Sequence, residues 1–154
     1  MKIKGLQDED FINYKKPSMI IAFPNCTFKC GKELCQNSSL ATFKSLDVSI
    51  DKIIERYKGN DITSAIVCAG LDPMDSFDDL IMFVKKVRDS KIKDEIVVYT
   101  GYNREEIAKK ISILSEYENI IVKFGRFIPN QETHFDEVLG VYLASDNQYA
   151  KRIS

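Results

Sequence analysis

Residues 19–37 read Met-Ile-Ile-Ala-Phe-Pro-Asn-Cys-Thr-Phe-Lys-Cys-Gly-Lys-Glu-Leu-Cys-Gln-Asn, an apolar run followed at once by Cys26, Cys30 and Cys35. The run Met19–Phe23 suits a pleated, buried strand, which puts the three cysteines on the loop leaving its C-terminal end. In an open α/β sheet, ligands bind at that edge. The stretch therefore predicts a fold class and the place of a site together.

Downstream, short apolar runs alternate with segments of helical spacing. Ile50, Ile53, Ile54 and Tyr57 recur at three and four, with Ser49 in the N-cap position. Ser64–Ala69 reads as a buried strand ending in Gly70-Leu71-Asp72-Pro73. Phe77, Leu80, Ile81, Val84 and Val87 mark the clearest helix, with Asp75 or Ser76 as its cap and Lys85, Lys86 and Arg88 where cations suit the dipole. Glu95–Thr100 is the next strand, ended by Gly101-Tyr102-Asn103. The helix Arg104–Leu114 follows, then the strand Asn119–Phe124, ended by Gly125-Arg126-Phe127. A last strand is expected near Val138–Ala144, with Ser145–Ser154 as a tail and Met1–Lys16 as a strand or arm leading in. Strands alternating with long helices predict a single α/β domain, residues 1–154, with a mainly parallel sheet of about five to six strands. That count is short of a full eight-fold barrel of roughly 250 residues, so the expectation is a partial (β/α) barrel. Four special strand ends on one edge describe a single composite site.

Twenty-two basic against 23 acidic residues leave a net charge of −1, which gives no polyanion-binding signal and sets nucleic acid aside as a partner. No stretch has the order of a secretory signal or the apolar length of a membrane span, so a cytoplasmic protein with no membrane partner is expected. In reducing cytosol, three clustered cysteines read as metal or redox ligands rather than a disulfide framework. Cys68, inside Ser-Ala-Ile-Val-Cys-Ala-Gly, reads as a small core residue, and His134 as a surface residue of a polar loop. The acidic stretch 72–79 coincides with a helix start, where the dipole favours carboxylates.

The spacing is Cys-x3-Cys-x4-Cys. Thiolates suit zinc or iron–sulfur clusters. A structural zinc site wants four ligands, and here the fourth is distant Cys68 or the lone His134, neither at a knuckle spacing. A cubane cluster on three cysteines leaves one iron open to a substrate, which ranks an iron–sulfur site ahead of zinc. A zinc-binding interaction module without catalysis is the alternative from another class.

The cysteine triplet, Gly70-Leu71-Asp72-Pro73, Tyr99-Thr100-Gly101-Tyr102, Gly125-Arg126-Phe127-Ile128 and Ser145-Asp146-Asn147-Gln148 follow in order over about Ile20–Gln148. In that conjunction the chain resembles the activating proteins of anaerobic ribonucleotide reductase, a family of the radical S-adenosylmethionine superfamily. The resemblance implies a [4Fe-4S] cluster on Cys26, Cys30 and Cys35, with the amino and carboxylate groups of S-adenosylmethionine on the fourth iron. It further implies reductive cleavage to methionine and a 5′-deoxyadenosyl radical, which abstracts hydrogen from a glycine of the large catalytic subunit of the reductase. A low-potential donor such as flavodoxin would supply the electron. Residue by residue, Leu34 takes the place of the apolar residue that packs on adenine, and Asn37 that of the asparagine following the triplet. Gly70 and Asp72 match the stretch that meets the ammonium of S-adenosylmethionine. Thr100 and Tyr102 are expected to line its pocket, joined by Arg126 and Asn147. Three features depart from the family pattern: the longer Cys30–Cys35 spacing, Leu71 in place of a second glycine, and Asn13-Tyr14-Lys15-Lys16 where a glycine-rich segment usually precedes the first strand. A radical S-adenosylmethionine enzyme acting on another protein or peptide is the alternative within the same chemistry.

Overall fold

A computed structural model describes residues 1–154. Two strands, β1 (Lys2–Ile3) and β2 (Gly5–Asp10), precede β3 (Ser18–Phe23), the strand that ends at the cysteine loop. A 3-10 turn (Ser38–Thr42), β4 (Leu46–Asp47) and α1 (Ile50–Lys58) lead to β5 (Ala65–Gly70). Then come α2 (Phe77–Asp89), β6 (Glu95–Tyr99), α3 (Ala108–Leu114) and β7 (Ile120–Phe124). The chain finishes with β8 (His134–Asp136), β9 (Val141–Leu143) and β10 (Tyr149–Arg152).

Six strands form one sheet in the order β10-β7-β6-β5-β3-β2, while β1 with β4 and β8 with β9 make separate two-stranded ribbons. The four central strands are mutually parallel and each is joined to the next by a crossover containing a helix. Both edge strands run antiparallel. The fold is α/β with a mostly parallel sheet and three α-helices, as the alternation of periodicities predicts.

Strand alternation sorts the side chains onto two faces. Ile21, Cys68, Val98 and Val122 lie in one register row, and they pack with Ile53 of α1, Leu80 and Phe83 of α2 and Leu114 of α3 in one core. Each such buried aliphatic or aromatic side chain contributes roughly 1.5–3 kcal/mol. Cys68 is 0 % exposed within this core, as the sequence predicts. On the opposite face, Val67, Val97 and Ile121 pack with Tyr14, Leu139 and Leu143. Nearer the C-terminal strand ends, that face carries Gly5, Ala22 and Ala69 in one register row, too small to fill the space above them. Small side chains on the β2, β3 and β5 part of that face leave a hollow there.

Three expectations about the elements are corrected. The strand expected near Val138–Ala144 is only β9, which pairs with β8 outside the main sheet, and β8 begins at His134 in the stretch read as a polar loop. The sixth strand of the main sheet is instead β10, within the stretch read as a tail. An edge strand needs one buried face only, and β10 buries Ala150 alone. The segment read as the helix Arg104–Leu114 begins with a 3-10 turn, Arg104–Ile107, before α3. No helix is long and apolar enough to cross a membrane.

Candidate metal centre and cofactor cavity

Phe23 is the last residue of β3, and the chain then runs irregularly to Asn37. Its middle is a series of tight turns: Gly31 N donates to Phe28 O (2.9 Å), Leu34 N to Gly31 O (3.2 Å), Cys35 N to Lys32 O (3.4 Å) and Ser38 N to Cys35 O (3.1 Å). Phe28 and Gly31 take φ of 51° and 90° to allow this coiling. The longer Cys30–Cys35 spacing is thus wound up rather than extended. Asn37 Nδ2 donates to Gly70 O at 3.2 Å and so ties the end of the loop to the end of β5.

All three thiols are free, partly exposed, and line one cavity of about 670 Å³. Gly70, Leu71, Asp72, Thr100, Gly101, Lys123, Gly125, Arg126 and Gln148 share that lining. The four strand ends singled out in the sequence therefore meet. No three His, Cys, Asp or Glu side chains close around one point as they would around a single ion. The three thiols line one hollow, and thiolates are the donor type that iron–sulfur clusters take. Neither Cys68 nor His134, the two candidates for a fourth zinc ligand, lines the cavity. Phe28 N donates to Cys26 Sγ at 3.2 Å, a bond that favours a thiolate there, although burial pushes the Cys26 thiol up to about 11 in the absence of metal. A bound metal offsets that penalty, because coordination deprotonates the thiol. The donor set fits an iron–sulfur cluster with three protein ligands.

Asp72 is 4 % exposed and burial raises its pKa to about 6, against the pull of its donors. Its Oδ1 accepts from Met74 N (3.0 Å), and its Oδ2 from Gly101 N (2.9 Å) and Thr100 Oγ1 (3.1 Å). A carboxylate has about four acceptor sites, so one remains for a ligand. Asp72 consequently both caps the turn after β5 and fastens β5 to the end of β6. Gly70 has φ +95°, and a Cβ there would stand 2.7 Å from Ala22 Cα and Phe23 N, so only glycine fits. Leu71 is not among the positive-φ residues, so its backbone accommodates a side chain without strain.

Asn37, Gly70, Asp72, Thr100 and Arg126 line the main cavity, with Arg126 also held by two bonds to Glu106 at 2.8 and 3.0 Å. Leu34 lines a smaller adjoining pocket with Cys30, Arg126, Phe127 and Asn147. Tyr102, expected to line the pocket, is not among the residues of this lining and packs in the helix-side core. Its hydroxyl donates to Asp75 Oδ1 at 2.7 Å.

Lys123 escaped the sequence reading. It lies on the cavity face of β7, 7 % exposed, with Nζ donating to Gly125 O at 2.9 Å. None of the protein's ion pairs includes it. Burial lowers its pKa to about 8. Two of its three donors are unspent. The available signal was a single lysine inside the strand Ile120–Phe124, whose neighbours are all apolar.

A family model described as a 4Fe-4S single cluster domain matches residues 18–148. No curated protein and no solved structure matches the chain.

Proposed function

The chain belongs to the 4Fe-4S single cluster domain family, and from that premise we propose that it is a cytoplasmic radical S-adenosylmethionine activase whose substrate is a glycine of the large catalytic subunit of anaerobic ribonucleotide reductase. The observation that carries this reading is the convergence of three thiols, a carboxylate with one free acceptor site and an ammonium with two free donors on one cavity. The bound cluster and S-adenosylmethionine together supply one-electron cleavage of a sulfonium bond.

The protein's part is to hold and orient. Cys26, Cys30 and Cys35 hold the cluster. Asp72 accepts the ammonium of the methionyl group through its remaining Oδ1 site, and Lys123 donates to the carboxylate. The row Gly5, Ala22 and Ala69 leaves room for the ligand's body. Leu34, beside Arg126 and Asn147 in the adjoining pocket, offers an apolar contact for adenine. On this reading the sheet, helices on one face and cavity on the other, is a partial (β/α) barrel of the radical S-adenosylmethionine type. Lys29 and Lys32 are exposed on the cysteine loop, where a low-potential donor such as flavodoxin can approach.

The test is anaerobic reconstitution with iron and sulfide, followed by assay for 5′-deoxyadenosine and for a glycyl-radical signal in the reductase subunit. Brown protein, S-adenosylmethionine cleavage and the radical signal are expected. Colourless protein with stoichiometric zinc would overturn the reading. Cleavage without a radical on that subunit would move the substrate to another protein or peptide.

A further inference from the structure

The chain on both sides of Cys26 is fastened to one short segment, 72–76. Ahead of it, Asn25 O accepts from Asp72 N at 2.8 Å and Asn25 Nδ2 donates to Ser76 Oγ at 3.0 Å. Behind it, Thr27 N donates to Asp75 Oδ2 at 2.8 Å. The other oxygen of Asp75 takes the Tyr102 hydroxyl at 2.7 Å, and that hydroxyl lies 3.1 Å from Thr27 Oγ1. One carboxylate thus grips a backbone amide of the loop and the phenol that stands behind it. Lys29 Nζ and the Arg126 guanidinium lie 5.1 and 5.3 Å from the centroid of the Tyr102 ring, which is 9 % exposed.

Cys30 and Cys35 are held differently. From Phe28 to Ser38 the turn bonds stay within the loop, and Asn37 to Gly70 is the one hydrogen bond reaching the sheet. Position 75 lies at a helix start, where a carboxylate is ordinarily credited to the dipole. Here Asp78 and Asp79 occupy the first turn of α2, whereas both oxygens of Asp75 are spent on the cysteine loop and Tyr102.

We propose that Asp75, acting with Tyr102, is a positioning residue that presents Cys26 as the preformed ligand of the cluster, onto which the more loosely held Cys30 and Cys35 close. The inference rests on Cys26 being a cluster ligand and is independent of S-adenosylmethionine chemistry. Fixing one residue's backbone opposes binding by roughly 1–2 kcal/mol. For Cys26 that ordering is complete before metal arrives, and for the other two it falls on the binding step. Groups that orient metal ligands typically alter metal affinity by about 10–100-fold when removed.

Two measurements decide it. In cluster-free, reduced protein, alkylation by iodoacetamide is followed at each cysteine by mass spectrometry. Cys26 should react slowest, and Asp75→Ala should speed Cys26 by about tenfold, the lower end of that range, while leaving Cys30 and Cys35 nearly unchanged. Tyr102→Phe and Thr27→Val should move Cys26 the same way by less. Asp75→Asn, which keeps one acceptor oxygen, should restore part of the protection. In reconstituted protein, the rate of iron removal by a chelator should follow the same ranking. Ile53→Val, a core change in α1 away from the loop, should leave both rates at wild-type values even though it lowers the melting temperature. Equal acceleration at all three cysteines, no acceleration at Cys26, or the same effect from Ile53→Val would overturn the proposal. A wild-type protein that takes up no iron would sink the cluster reading instead, and the alkylation result would still decide the role of Asp75.

Discussion

Replacing Lys123 with methionine should strengthen the ligand-free protein while removing its anion anchor. The ammonium is buried, bonded to a single carbonyl, and outside every ion pair of the fold. Its pKa falls from 10.5 to about 8. Between those two values the unfolded chain keeps a proton that the folded chain has released, so stability rises with pH across the window. At about 1.4 kcal/mol per pH unit the gain is about 3 kcal/mol in all. Below about pH 8 both states are protonated and the fold bears the whole desolvation penalty. Methionine has similar length and no charge; it removes that penalty and forfeits the bond to Gly125, worth about 1.5 kcal/mol for a charged donor. The net expectation is a variant more stable than wild type by roughly 1–2 kcal/mol at pH 7, an advantage that shrinks and then reverses as the pH approaches 10. Urea unfolding of the cluster-free proteins from pH 7 to 10 measures this directly, with calorimetric titration of S-adenosylmethionine into reconstituted protein to show that affinity is lost. A methionine variant less stable than wild type at pH 7, by an amount that does not change with pH, would refute the reasoning.

Gly70→Ala should lower stability by about 2–3 kcal/mol in thermal unfolding, because the added Cβ strikes the backbone of Ala22 and Phe23 at 2.7 Å while φ is +95°. Asp72 is neutral below about pH 6 and charged above it, so S-adenosylmethionine affinity should climb as the pH rises through about 6, and that step should vanish in Asp72→Asn. Cys35→Ala should abolish iron retention after reconstitution. Cys68→Ala should leave iron stoichiometry intact and lower stability by about 1–2 kcal/mol through the space left in the helix-side core.

The parallel core was legible because each of its strands is buried on two faces and so reads as a continuous apolar run, as in Ala65–Gly70 and Ile120–Phe124. The antiparallel edges carry a weaker signal. Tyr149–Arg152 exposes three of its four residues and has the composition of a tail. At the site, the cysteines and the strand-end turns announced themselves through residue types that serve poorly in a core. Tyr102 directly follows Thr100 and Gly101, which line the cavity, yet the chain turns there and its ring packs on the helix side, a change of face that local sequence does not signal. Lys123 was hidden by the opposite problem. Its side chain is long enough to start from a closed layer and reach the strand end, so a local pattern gives no hint of where the charge finishes.

The four parallel strands lie in the sheet in the order in which the chain presents them, β3, β5, β6 and β7. During synthesis each new strand and helix can therefore dock beside the last, and none has to be threaded between two that are already paired. The thiol loop emerges near the start of this growth, while Lys123, Gly125 and Gln148, which wall the far side of the cavity, come near its end. At typical synthesis rates the interval is on the order of ten seconds. For that time the thiols stand in solvent with no chamber behind them, open to oxidants and to stray metals. The layout of the sheet thus dictates a timetable in which cluster loading belongs after the final strand has been added.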